Sequence, residues 1–210
     1  MEVIPVINCL DEECAIKKLH EAEKFSDWIH LDVADGRFTF NKTWGTPKAW
    51  AALRAKVNLE AHLMVEEPEN CVDDWISAGA KRLIIHLETT SKEGVEKIIA
   101  TAKKRGAEVM LAINPETPLR NLEPYIKDVS RYHLLAVHPG LPGQKFLPTV
   151  LEKVKILRQE LPDAKIEIDG GINPEVVRAV KAAGADIVVS GTYIFGGEDS
   201  KAKFEELKKA

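Results

Sequence analysis

Residues 27–36 read DWIHLDVADG, in which a histidine and an aspartate interrupt an otherwise strand-like apolar run. In a strand, residues two apart point to the same side, so His30 and Asp32 share one face while Ile29, Leu31 and Val33 share the other. Two ionisable groups on one face of a buried strand are costly without a common partner, and a metal ion is one candidate. Ligands of the same kind recur in LEAHLMV (59–65), with His62, and in KIEID (165–169), with Asp169. Two imidazoles and two carboxylates suit one divalent ion, zinc, iron, manganese or cobalt, and ligand type does not choose among them.

The elements that must position these residues are short apolar runs alternating with amphipathic ones. Strands are expected at 3–8, 28–33, 59–65, 82–88, 108–114, 132–138, 165–169 and 186–191. Helices are expected in DEECAIKKLHEAEK, PENCVDDWISAG, KEGVEKIIATAKKRG, LPTVLEKVKILRQEL and NPEVVRAVKAAG. Asn173 is a natural N-cap with Pro174 in the first helical position; Gly79, Gly106 and Gly184 mark helix ends. Near-continuous apolar strands are typical of parallel strands covered on both faces. A dinucleotide-binding open sheet needs G-x-G-x-x-G after its first strand, and VINCLDEE has no glycine. Eight βα units favour a single (β/α)8 TIM barrel formed by residues 1–210 as one domain.

Function in such a barrel sits at the C-terminal ends of the strands. Asn8, His30, Asp32, His62, His86, Glu88, Asn114, His138 and Asp169 all fall at that end. His86, Glu88 and His138 suit either a hydrogen-bonded core role or contact with substrate; His20 and His133 read as ordinary helix-surface and strand-start residues. Gly170 and Gly171 follow the seventh strand, and Gly191 with Thr192 the eighth, where barrels commonly bind phosphate through backbone N–H groups. A third glycine loop, HPGLPGQKF, follows the sixth.

Composition narrows the class. The chain has 210 residues, 45% hydrophobic and 30% charged, with a net charge of −4, which gives no reason to expect nucleic acid or an anionic membrane as partner. No apolar run approaches the roughly 20 residues of a membrane span. The N-terminus lacks a basic segment of signal-peptide type. Cys9, Cys14 and Cys71, odd in number and without CxxC spacing, are expected to be reduced structural thiols of a cytoplasmic protein.

The segments HLDVADGRFTFN, AHLMVEEPE, IIHLET, LAINPETP, VHPGLPGQKFLP, EIDGGIN and VSGTYIFGGEDSKA, in that order, resemble the ribulose-phosphate 3-epimerase family along nearly the whole chain. The resemblance implies a (β/α)8 barrel that interconverts D-ribulose 5-phosphate and D-xylulose 5-phosphate with one divalent metal, and a homo-oligomer, dimer or hexamer. It implies His30, Asp32, His62 and Asp169 as metal ligands, with Asp32 and Asp169 as the catalytic acid/base pair. Epimerising a carbon beside a ketone needs a proton removed on one face and returned on the other, through an enediolate; one carboxylate on each face does this. The expected phosphate and substrate contacts are Asn8, His62, Met64, Gly140, Leu141, Pro142, Gly143, Gly170, Gly171, Gly191 and Thr192. The chain departs from the family pattern at Pro142, in a loop that usually reads PGFGGQ, and proline removes one backbone N–H. It departs also at Pro5, Ala34, Leu135 and His138, which alter the pocket lining. Another ketose phosphate, such as allulose 6-phosphate, is the alternative substrate, since the small Ala34 would leave room; a sugar-phosphate-binding barrel without turnover is the non-enzymatic one. A related decarboxylase would need an Asp-x-Lys-x-x-Asp motif, and HLDVADG has no lysine.

Overall fold

A computed structural model describes residues 1–210. Eight parallel strands, β1 (Glu2–Ile7), β2 (Trp28–Ala34), β3 (Asn58–Met64), β4 (Ala80–His86), β5 (Glu108–Ile113), β6 (Arg131–Leu135), β7 (Lys165–Asp169) and β8 (Ile187–Ser190), pair in sequence order. β1 also pairs with β8, closing a barrel. Around it run α1 (Glu12–Ala22), α2 (Pro47–Leu53), α3 (Val72–Ser77), α4 (Lys92–Arg105), α5 (Val150–Glu160), α6 (Pro174–Ala183), α7 (Thr192–Phe195) and α8 (Ser200–Lys209). The expected caps are present: Asn173 accepts from the N–H groups of Glu175 and Val176, and α6 ends at Gly184 with φ 109°.

The barrel departs from the expected eight regular βα units at two places. The β5–β6 connection holds no α-helix but a 3-10 helix, Leu119–Tyr125, with Pro124 inside it; proline removes an N–H and clashes with the preceding turn. β6 ends at Leu135, not at residue 138, and beyond it only Ala136 N–H still bonds across, to Asp169 O at 2.6 Å.

Strand parity sets the two faces. Ile29, Leu31 and Val33 of β2 face outward into a cluster of 18 buried residues shared with α1, α2, α3 and α4. The opposite half of the outer wall is a cluster of 24 buried residues beneath α4, α5, α6 and α8. These outward layers carry most of the apolar burial, which leaves the barrel interior free to hold polar groups.

The cysteines are not all reduced thiols as expected. Cys9 and Cys14 form a disulfide, and Cys71 alone is free. The turn from β1 into α1 brings their Cα atoms to 5.8 Å, inside the range a disulfide spans.

Candidate active site

The parity of β2 turns His30 and Asp32 inward, and register sets Asp32 beside His62 of β3. Asp32 Oδ1 lies 3.1 Å from His30 Nε2 and 2.9 Å from His62 Nδ1, while the two ring nitrogens are 3.2 Å apart. Asp169 enters from β7, its Oδ2 3.8 Å from His62 Nδ1. One ligand atom from each of the four residues lies within 4.8 Å of the others. Asn8 Nδ2 donates to Asp32 Oδ2 at 2.8 Å and holds that carboxylate from β1's end.

Residues behind the ligands decide where their protons sit. His30 Nδ1 is 2.8 Å from Glu60 Oε1, and Glu60 Oε2 accepts from Arg82 at 2.5 Å. His62 Nε2 is 2.8 Å from His86 Nε2, and His86 Nδ1 is 3.2 Å from Glu88 Oε2. Glu88 Oε1 accepts from the Asn114 N–H at 2.8 Å and from the Thr117 hydroxyl. Ionised carboxylates only accept, so Glu60 and Glu88 draw the protons of His30 and His86 to Nδ1. With His86 neutral, His62 then donates through Nε2. The lone pairs of His62 Nδ1 and of a neutral His30 face Asp32 Oδ1, three acceptors within 3.2 Å. Such a centre repels itself unless a proton or a cation fills it. Imidazoles backed by acceptors on their far side are also how proteins orient metal ligands, so the residues fit a divalent cation.

The electrostatics follow. Burial opposes charge on His30, but hydrogen bonds to Asp32 and Glu60 outweigh it and raise its pKa well above the ordinary value. Burial lowers His62 to about 4. Burial would raise Asp32, but His30 and His62 hold it below the usual carboxylate range. Asp169 is pushed up to about 7 by burial and by Asp32. Burial would also raise Glu88, yet the His86 contact and its other hydrogen bonds bring it down to about 2.

Above the cluster opens a cavity of about 500 Å³, lined by Asn8, Asp32, Met64, Leu135, His138, Asp169, the Gly140–Gly143 stretch, the Gly170–Gly171 turn, and Gly191 with Thr192. The three glycine loops therefore meet around one mouth. Gly171 has φ 67°, and a Cβ there would come within 2.3 Å of the Phe146 backbone, so the turn after β7 packs on the loop after β6 only as glycine. Ala34 has the inward parity of His30 and Asp32 and pairs with Met64, which lines the cavity. His30 and His62 lie beneath the wall, fully buried.

Of the three undecided residues, His86 and Glu88 stand behind His62 and do not line the cavity, whereas His138 is exposed at its rim, 3.3 Å from Glu116. His133 is not an ordinary strand-start residue. It is fully buried inside the barrel, with Nδ1 2.8 Å from Glu167 Oε1 and Nε2, unpartnered, 3.7 Å from Asp169 Oδ2. Glu60, Arg82 and Glu167 were also missed, although a signal existed: Glu60 stands two residues before His62 and Glu167 two before Asp169, on the same inward face.

A closed eight-stranded barrel whose glycine loops and two inward aspartates share one mouth at the C-terminal ends of the strands has the architecture of a (β/α)8 barrel enzyme. The model of the ribulose-phosphate 3 epimerase family matches residues 2–195. The chain is 36% identical to the ribulose-phosphate 3-epimerase of Chlamydia trachomatis, covering 98% of this chain and 91% of that protein. It is 33% identical to that of Bacillus subtilis, covering 99% and 98%. Rice has a similar protein named as the cytoplasmic isoform, 33% identical over 88% of this chain and 82% of that one. Among solved structures, a 3-hexulose-6-phosphate synthase superposes with a TM-score of 0.77 at 18% identity, over 100% of this chain and 99% of that one, a likeness of fold. The chain belongs to the ribulose-phosphate 3-epimerase family and is an isomerase acting on carbohydrates.

Proposed function

We propose that the chain, acting as one barrel domain, inverts C3 of D-ribulose 5-phosphate to give D-xylulose 5-phosphate by two-base proton transfer. The observation that carries this reading is the placement of Asp32 and Asp169, which rise from β2 and β7 into one cavity around the convergent ligand cluster. Their origin on separate strands lets one carboxylate address each face of the reacting carbon, one removing the proton and the other returning one. His30, Asp32, His62 and Asp169 hold one divalent ion in this scheme. When bound, that ion supplies Lewis-acid stabilisation of the negative charge that develops on the substrate's oxygens. Asn8 keeps Asp32 aimed at the cavity, and backbone N–H groups of Gly170–Gly171 and Gly191–Thr192, with Gly143 in support, bind the phosphate.

The test uses metal-loaded Asp32→Asn and Asp169→Asn. Asparagine keeps the shape and an oxygen but cannot take up and return a proton at neutral pH. Each variant should lose about 10²- to 10⁴-fold in epimerisation, and deuterium washout from solvent, followed by NMR, should persist for one epimer only. Near-normal epimerisation by either variant refutes the two-base reading.

A further inference from the structure

Lys18 stands out among the residues that the proposed mechanism leaves unused. The packed stripe of α1 is Ala15, Leu19 and Ala22. Lys18 follows Ala15 by three positions and precedes Ala22 by four, so it belongs to the inward face, where a charged residue is out of place. Its side chain runs to the mouth and is the only lysine or arginine on the cavity wall. There it sits between the end of β1 and α7: Nζ donates to Asn8 O at 3.2 Å and lies 5.5 Å from the Phe195 ring centre.

An ammonium has three N–H donors, and this one has a single protein acceptor, a neutral carbonyl. Lys18 makes no ion pair with a carboxylate, although Asp32 and Asp169 line the same cavity. A half-buried cation without a counter-ion is an unfavourable arrangement that an anionic ligand would relieve. Burial accordingly lowers the pKa of Lys18 from its ordinary value, with Asp32 opposing the shift.

We propose that Lys18 is a substrate-binding residue whose ammonium pairs with the phosphate group of the sugar, beside Gly191 and Thr192. The inference rests on the proposed function and adds to it a charged contact. The phosphate is the charged group of a ketopentose phosphate, so the match of a lone cation to it is chemically specific. It also balances the loop after β6, where Pro142 has no N–H to offer.

The test compares wild type with Lys18→Gln, which keeps a donor for Asn8 O but no charge, and with Lys18→Arg, which keeps the charge. Binding of inorganic phosphate is measured by calorimetry and KM with D-ribulose 5-phosphate. Lys18→Gln should weaken both by about 10- to 100-fold, as expected for loss of a charge-assisted hydrogen bond. Weak binding of unphosphorylated D-ribulose should not change, and Lys18→Arg should recover most of the loss. Wild-type phosphate affinity in Lys18→Gln, or a fall in kcat with KM and phosphate binding unchanged, overturns the inference and leaves Lys18 as a support for Asn8. Wild-type protein that binds neither phosphate nor ribulose 5-phosphate overturns the proposed function and this inference together.

Discussion

The chain of contacts behind His62 makes a sharp prediction for Glu88→Gln. In the native arrangement Glu88 Oε2 accepts from His86 Nδ1, so His86 Nε2 accepts from His62 Nε2 and the Nδ1 lone pair of His62 points at Asp32. The amide can keep its oxygen on the Asn114 N–H and the Thr117 hydroxyl, but its NH2 then faces His86 Nδ1. His86 must accept there, so its proton moves to Nε2. His62 Nε2, 2.8 Å away, must accept in turn, and the His62 proton moves to Nδ1, the atom that faces Asp32 and the proposed ion. Turning the amide over restores His86 but sets NH2 against the Asn114 N–H, which loses its acceptor. Either outcome costs about one buried hydrogen bond or one disfavoured tautomer. Substitutions of this kind weaken metal affinity by about 10- to 100-fold, or roughly 1.4 to 2.7 kcal/mol at 1.36 kcal/mol per decade. Competitive titration of zinc or manganese at neutral pH measures the affinity, and ¹⁵N correlation NMR of the imidazoles reads the tautomer of His62 directly. Wild-type affinity with the proton of His62 still on Nε2 would refute the relay.

Two further outcomes follow from the buried charges. Arg82→Met leaves Glu60, which is fully buried, with His30 as its remaining side-chain partner; breaking such a pair costs about 3–5 kcal/mol, and a loss in urea unfolding below about 1 kcal/mol would contradict the assignment. Metal affinity should rise with pH through about 7, because Asp169 holds a proton below that value in the metal-free protein and must release it to act as a ligand; titrations from about pH 5.5 to 8.5 that give a flat affinity would exclude that competition.

The four proposed ligands were legible because strand parity converts spacing into direction: two residues apart in HLD means one face, whatever the rest of the fold does. Eight strands in alternation likewise left few closed solutions, and the barrel followed. What stayed hidden depends on pairs that meet across strands. Glu60 and Arg82 carry the right parity, but only the register of β3 on β4 shows that they neutralise each other. His133 looked ordinary because its partner, Glu167, lies on the next strand, directly opposite. Lys18 was invisible for a different reason, since its reach into the mouth depends on how α1 docks against β1 and α8. The Cys9–Cys14 pairing depends on a turn whose path the local residues do not announce.

The interior is divided by function as well as by chemistry. Ile4, Val6, Ile187 and Val189 make the β1–β8 side apolar, and Ile84, Met110 and Ala112 do the same between β4 and β5. The remaining sector is polar, and within it the four proposed ligands are not held equally. His30 is fixed by Glu60, His62 by His86, and Asp32 by Asn8. No neighbouring side chain hydrogen-bonds Asp169, whose carboxylate is met by the Gly170 backbone; His133 approaches only to 3.7 Å, and the Asp169 side chain is the most exposed of the four, at 16% against 9% for Asp32 and 0% for the histidines. A ligand that only held an ion would gain from the same rigid support as the others. A carboxylate that must also hand a proton to a substrate has to keep an oxygen unpaired and facing the cavity, because a fully hydrogen-bonded carboxylate is a weaker base. The looseness of Asp169 is therefore what the proposed chemistry requires of one of the two aspartates.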